Sequence, residues 1–268
     1  MTRLYRERRW YCGDYLEVNI FPVWRAGGKR RRRAKPTGEV QARLNEHNAE
    51  QKLIRLLNAN FTGEDVELHL TYRDDVLPTS PDEVKRDIQN FIRRVKRLRK
   101  RLGLSEMKYV VVPAGGVGGT RFHVHMTMTG GVDRTMLEEL WGYGYANSKR
   151  LQFNENGVEG LARYVSRQFS AHKDELPFGK RWSGSRNLVI PEPHDRDGRI
   201  SARRAREIAQ TPMGGMILEE LYEGYTLAEC RSFHNDVNGG YYLHVKLYRS
   251  DAVFQGTKKR ITSKKRRE

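Results

Sequence analysis

Cysteine is nearly missing from this chain: Cys12 and Cys230 are the only two, far apart in the sequence. That excludes a disulfide framework and a cysteine-built zinc site, and it favours a reduced, cytosolic setting. No apolar run has the length of a membrane span, and the Arg-rich N-terminus lacks the apolar core of a signal peptide. The glycine cluster Gly115-Gly116-Val117-Gly118-Gly119 is followed by a strand pattern and not by Lys-Ser/Thr, so it reads as a turn, and a phosphate-cradling motor loop is absent. Internal repeats are absent too. Acidic residues are in deficit: 33 Asp and Glu stand against 50 Lys and Arg, for a net charge of +17. A surplus of that size calls for a polyanionic partner. Nucleic acid fits better than a membrane surface, because no amphipathic lipid-facing segment accompanies the charge.

What is present is a set of alternating strands and one strongly amphipathic helix. Arg121-Phe122-His123-Val124-His125-Met126-Thr127-Met128-Thr129 alternates polar and apolar residues, the period of a half-buried strand. His123 and His125, two residues apart, share a face at roughly 7 Å spacing and can converge on one divalent ion. The same spacing also occurs on a polar sheet face that binds nothing. Val66 to Tyr72 alternates likewise, with Glu67, His69 and Thr71 on its polar face, and Tyr109 to Val112 reads as a buried central strand. Between them a helix is announced by Ser80, Pro81 and Glu83, a capping box. Val84, Ile88, Phe91, Val95, Leu98 and Leu102 form its apolar stripe, and Arg93, Arg94 and Arg97 lie among seven cations on its other side.

Residues 1–25 suggest short strands, residues 38–58 a helix, and Lys29 to Arg33 a basic arm. A short helix over 133–141, a strand over 143–153 and a helix over 157–170 complete the central part. Beyond it come a basic loop with Lys180, Arg181 and Arg186, loop acids at 194–197, one helix over 201–223, a hairpin around Asn238-Gly239-Gly240 and a basic tail. The order strand–helix–strand–strand–helix–strand–helix predicts an α+β fold on a mostly antiparallel sheet, ferredoxin-like (βαββαβ) in its first six elements. The expected organisation is a basic N-terminal extension with a helix over 1–60, a core over 61–190, and a C-terminal extension over 191–268.

On the last core helix, Val158, Leu161, Val165 and Phe169 make the buried stripe, with Tyr164 at its edge and Arg167 one turn on. A boundary tyrosine is commonly no more than that. In this company, however, the chain resembles the HUH endonucleases, in particular the single-tyrosine rolling-circle replication initiators of plasmids, integrated elements and small single-stranded DNA phages. Leu68-His69-Leu70-Thr71-Tyr72 is similar to the first family motif and Arg121 to His125 to the second, the metal-binding pair. Tyr164-Val165-Ser166-Arg167 is similar to the third, Tyr-x-x-Lys, with Arg in place of Lys. Asn58 to Phe61, Asp87 to Phe91 and Lys180 to Ser183 resemble flanking family segments, so the likeness spans about residues 40–190. It departs from the family at Val112-Pro113-Ala114-Gly115, where many members carry a third metal ligand. His69 or Glu67 is the candidate substitute.

The resemblance implies an HUH-type fold and a metal-dependent nicking and strand-transfer activity on single-stranded DNA at a replication origin. Tyr164 would be the nucleophile, Arg167 a phosphate contact, and His123, His125 and His69 the ligands of Mn²⁺ or Mg²⁺. A tyrosine hydroxyl titrates near pH 10, so it is a modest nucleophile that needs help from the metal. Attack would leave a 5′-phosphotyrosine and a free 3′-hydroxyl. Arg93, Arg94, Arg97, Lys180 and Arg181 would hold the strand, with Trp141 and Trp182 as stacking platforms. The setting implied is the cytoplasm of a bacterial host, with unwinding left to a host helicase. A transposase or mobilisation relaxase of the same class would share the chemistry, although relaxases commonly show a third histidine soon after the pair, and none follows His125 until His172. A non-catalytic RNA-binding module would share the ferredoxin-like order but would want aromatics where His123, His125 and Thr127 stand.

Overall fold

The computed structural model describes residues 4–23, 38–116, 120–170 and 178–254. The basic arm at 29–33, the middle of the glycine cluster and the tail from 258 lie outside them. In chain order the elements are β1 (Leu4–Cys12), β2 (Tyr15–Val23), α1 (Glu39–Asn60), β3 (Val66–Thr71), α2 (Pro81–Arg101), β4 (Tyr109–Ala114), β5 (His123–Met128) and α3 (Arg134–Trp141). They continue as β6 (Ala146–Arg150), α4 (Glu159–Ser170), β7 (Ser183–Gly184), β8 (His194–Asp197), α5 (Ala202–Gln210), α6 (Gly214–Leu221), β9 (Tyr225–Asn235) and β10 (Gly240–Arg249). The fold is α+β, with two antiparallel five-stranded sheets.

The central sheet runs β6-β3-β5-β4-β7. Its first four strands have the ferredoxin-like arrangement that the element order predicts. Period-two alternation gives this sheet two unlike faces. Leu68, Leu70, Val111, Val124, Met126 and Met128 point to one side, where α2 and α3 close over them with Val84, Phe91, Val95 and Trp141. The caps at the start of α2 are as the sequence suggests: Pro81 is the first helical residue and the Ser80 hydroxyl accepts from the Glu83 amide at 3.3 Å. The Glu83 carboxylate, however, accepts from the Thr79 amide at 2.7 Å, one residue further back than a capping box places it. The other side of the sheet is apolar only at its β4 end. There Val110 and Val112 pack with Leu53, Ile54 and Leu57 of α1 and with Val158, Ala162 and Val165 of α4.

The terminal segments build the second sheet together, in the order β8-β1-β2-β10-β9. Residues 1–25 are two long strands in register from Leu4↔Val23 to Cys12↔Tyr15, more regular than their sequence suggests. The acids at 194–197 are not in a loop but in β8. Its all-polar sequence hides the strand, which forms because Arg6 and Arg8 of β1 make two-pronged ion pairs with Asp197 and Asp195. The single helix expected over 201–223 is two, α5 and α6, broken at Pro212 and Gly214. Proline removes a helical donor, and a Cβ at Gly214 would sit 2.3 Å from the Ile208 carbonyl oxygen. Both helices cover Leu16, Val18, Ile20, Leu243, Val245 and Leu247 on the outer face of this sheet. No helix among the described residues is long and apolar enough to cross a membrane.

Candidate metal and tyrosine site

The antiparallel register of β3 and β5 sets His69 directly opposite His125 and Thr71 opposite His123. Cross-strand partners share a face, so the three histidines converge on the polar side of the central sheet. One ligand nitrogen of each lies within 4.8 Å of the others. His69 and His125 are stacked at 4.7 Å with planes 6° apart, and His123 stands edge-on to both at 5.5 and 5.3 Å. His69 therefore occupies the position at which the segment before β5 offers no ligand.

The donor set fits a divalent ion. His125 is 2% exposed, yet neither of its ring nitrogens has a hydrogen-bond partner. Its nearest carboxylate is Glu67, with Oε1 3.6 Å from Nδ1. A buried imidazole with both nitrogens idle is costly unless something else uses a lone pair. His123 Nδ1 lies 3.1 Å from the Arg121 carbonyl, which can only accept, so the proton sits on Nδ1. Burial lowers the pKa of His123 against the opposing pull of Arg121 and Gln168. Burial also lowers that of His69, reinforced by His125 and His123. Both shifts favour the neutral imidazole, which is the form that binds metal.

Tyr164 reaches the same place from α4. Val158, Ala162 and Val165 pin that helix to the core, leaving Tyr164 49% exposed. Its ring meets the His125 ring edge-on at 5.3 Å. The helix starts where it does because Asn58 holds its first turn: Oδ1 accepts from the Val158 amide at 3.1 Å, and Nδ2 donates to the Ile54 carbonyl at 2.9 Å. A Cβ at Gly157 would fall 1.9 Å from Asn58 Oδ1, and its φ is +64°, so glycine is required there. Tyr164, His69 and His125 line one open cleft of about 590 Å³, together with Glu67, Asn147 and Lys149.

The structure brings His69, His123, His125 and Tyr164 together, and the other expected residues lie at varying remove. Arg167 is exposed on α4, one turn beyond Tyr164. Arg93 and Arg97 are exposed on α2, which covers the opposite face of the central sheet. Arg94 is tied into the α2–α3 seam, donating to the Trp141 carbonyl at 2.9 Å and lying 5.2 Å from the Tyr143 ring centre. Lys180 is exposed, Arg181 donates to the Asn45 carbonyl at 3.3 Å, and Trp182 packs half-buried against the α1–α4 core. Trp141 is no stacking platform: it is fully buried, and its indole N–H donates to the Thr71 carbonyl at 2.7 Å. Asn147 and Lys149 were not singled out by sequence. They stand opposite His69 and Glu67 on the edge strand β6, and only the register reveals which face they share.

Residues 65–169 match the family model for replication-associated proteins of the ORF2 type. No curated protein and no solved structure matches the chain. His69, the His123/His125 pair and Tyr164 all fall inside the matched span, and over that span the chain is a member of this replication-associated protein family, a family of rolling-circle replication initiators.

Proposed function

We propose that this chain initiates replication by nicking single-stranded origin DNA, with Tyr164 as the nucleophile. The observation that carries this reading is a half-exposed tyrosine resting on the buried, unpartnered imidazole of a three-histidine cluster, inside the span that matches an initiator family. The Tyr164 oxygen attacks the scissile phosphorus in line, its proton passing to solvent in the open cleft. The bond from phosphorus to the 3′-oxygen breaks, and that oxygen leaves as a hydroxyl after taking a proton from water. The product is a 5′-phosphotyrosine, whose ester bond replaces the one broken. A 3′-hydroxyl can reverse the step, so strands rejoin without ATP.

His69, His123 and His125 would hold a divalent ion, Mn²⁺ more readily than Mg²⁺ given three imidazole nitrogens, and when bound it supplies Lewis-acid polarisation of a phosphate oxygen. Lys149 on the cleft wall and Arg167 beside the nucleophile would contact phosphates flanking the cut. Lys180, Arg181 and the outer part of Trp182 would extend that path. With the sheet between them and the cleft, Arg93, Arg94 and Arg97 would serve a separate stretch of DNA. A host helicase would supply unwinding, in the cytoplasm of a bacterial host.

The test is incubation of the protein and Mn²⁺ with an oligonucleotide carrying the element's own origin. A covalent adduct that survives denaturing electrophoresis and maps to Tyr164 is expected. Cleavage with no adduct would point to a metal-activated water instead.

A further inference from the structure

The terminal sheet meets the tyrosine helix through buried charge. Lys246 of β10 is 1% exposed, and its ammonium donates to both carboxylate oxygens of Glu159, at 2.9 and 2.7 Å, and to Glu229 of β9 at 2.7 Å. Glu159 opens α4 and is itself buried. It also pairs with Arg163 one turn on, and Arg163 lies 3.6 Å from Glu50 of α1. The Ser166 hydroxyl donates to the same Glu50 at 3.0 Å. Five residues on a helix turn the side chain through about 140° beyond one full revolution, so Glu159 faces the terminal sheet while Tyr164 faces the cleft. The terminal sheet is therefore clamped to the back of the helix that presents Tyr164.

We propose that Lys246 and Glu159 are positioning residues for Tyr164, and that the terminal sheet serves the nicking reaction by setting where α4 sits over the histidine cluster. This rests on the reading of Tyr164 as nucleophile. A shape-complementary apolar contact tolerates small slides along a helix, whereas an ammonium enclosed by two carboxylates does not, because each displacement strands a buried charge. In-line attack needs the nucleophile placed within fractions of an ångström of its productive position. The sheet lines none of the cleft at the tyrosine and histidines, so its contribution is to geometry and not to DNA contact.

The test compares the wild-type chain with Lys246→Met/Glu159→Gln, which removes both opposite charges at once. Melting temperature, affinity for a single-stranded origin oligonucleotide, and the single-turnover rate of adduct formation at saturating oligonucleotide with Mn²⁺ are measured. The expected result is affinity within about twofold of wild type and an adduct rate reduced about 10- to 100-fold in a chain that still melts cooperatively. A wild-type rate in that folded variant overturns the proposal, and so does a loss of rate accounted for by weaker binding alone. Should the double variant fail to fold, Glu159→Gln keeps the side-chain volume and an acceptor for Lys246. It is read by the same criteria, and a wild-type rate there overturns the proposal equally. Tyr164→Phe is run alongside: an adduct in that variant defeats the nucleophile reading itself, whereas a dead Tyr164→Phe beside a fully active double variant defeats only the positioning role.

Discussion

The Tyr164 ring stands perpendicular to the His125 imidazole, with centroids 5.3 Å apart and planes at 90°. An edge-on contact of this kind fixes the direction of the phenol while leaving its outer half in the open cleft. The hydroxyl adds little to the packing. Tyr164→Phe should therefore keep the fold and bind origin DNA within about twofold of wild type while forming no covalent adduct. Denaturing electrophoresis and a binding titration on the same samples check this. Full activity in the variant would end the tyrosine mechanism.

Three imidazoles acting together should show unequal tolerance of loss only if one of them is not a ligand. His69→Ala, His123→Ala and His125→Ala are each expected to weaken Mn²⁺ binding by at least about tenfold. Each should also cancel the rise in melting temperature that Mn²⁺ gives the wild-type chain. Calorimetric titration of the four proteins decides it, with wild-type affinity in His69→Ala returning that residue to the sheet surface.

Lys149 and the α2 arginines lie on opposite sides of the central sheet and should separate in binding experiments. Lys149→Gln should weaken binding of a short oligonucleotide several-fold and lower the slope of log affinity against log salt by about 1. Arg93→Gln/Arg97→Gln should do so only with long strands or duplex, because a short strand confined to the cleft does not reach α2. Equal effects of the two changes on the short oligonucleotide would show that one continuous surface is used.

Acid should loosen the terminal sheet through Glu17. Its carboxylate is fully buried and accepts from Arg55 at 2.5 and 2.8 Å, with His244 at 3.2 Å. Burial pushes its pKa up, but the hydrogen bonds from Arg55 and His244 outweigh that and hold it below the ordinary 4.5. A depressed acid stabilises the fold above its unfolded-state pKa, and this stabilisation is lost as pH falls through 4.5 toward the folded value. Glu17→Gln should cost about 3 kcal/mol near neutrality, since Arg55 loses its partner, and distinctly less near pH 3. Denaturant titrations at the two pH values measure it. A penalty that does not shrink in acid would mean that Glu17 does not titrate with unfolding.

Period-two alternation was enough to place β3 and β5, and with them the common face of His123 and His125, because a strand's side chains have only two directions to choose from. Glycine, proline and cap residues likewise marked the start of α2. The third histidine needed the register: His69 lies far from His125 in sequence, and nothing local says that β3 and β5 are neighbours. The same holds for Asn147 and Lys149, whose face depends on what β6 pairs with. Trp141 shows the opposite failure. A lone tryptophan at a helix end reads equally as a platform or as core, and only the sheet beneath it, with the Thr71 carbonyl waiting for its N–H, decides for core. The terminal sheet was the least legible part. Its strands come from both ends of the chain, and β8 is held by ion pairs to β1 that leave no hydrophobic pattern to find. Local sequence determines periodicity and chain reversal. Which surfaces meet is decided by long-range burial and charge pairing, and here that includes the ammonium of Lys246 behind the helix of Tyr164.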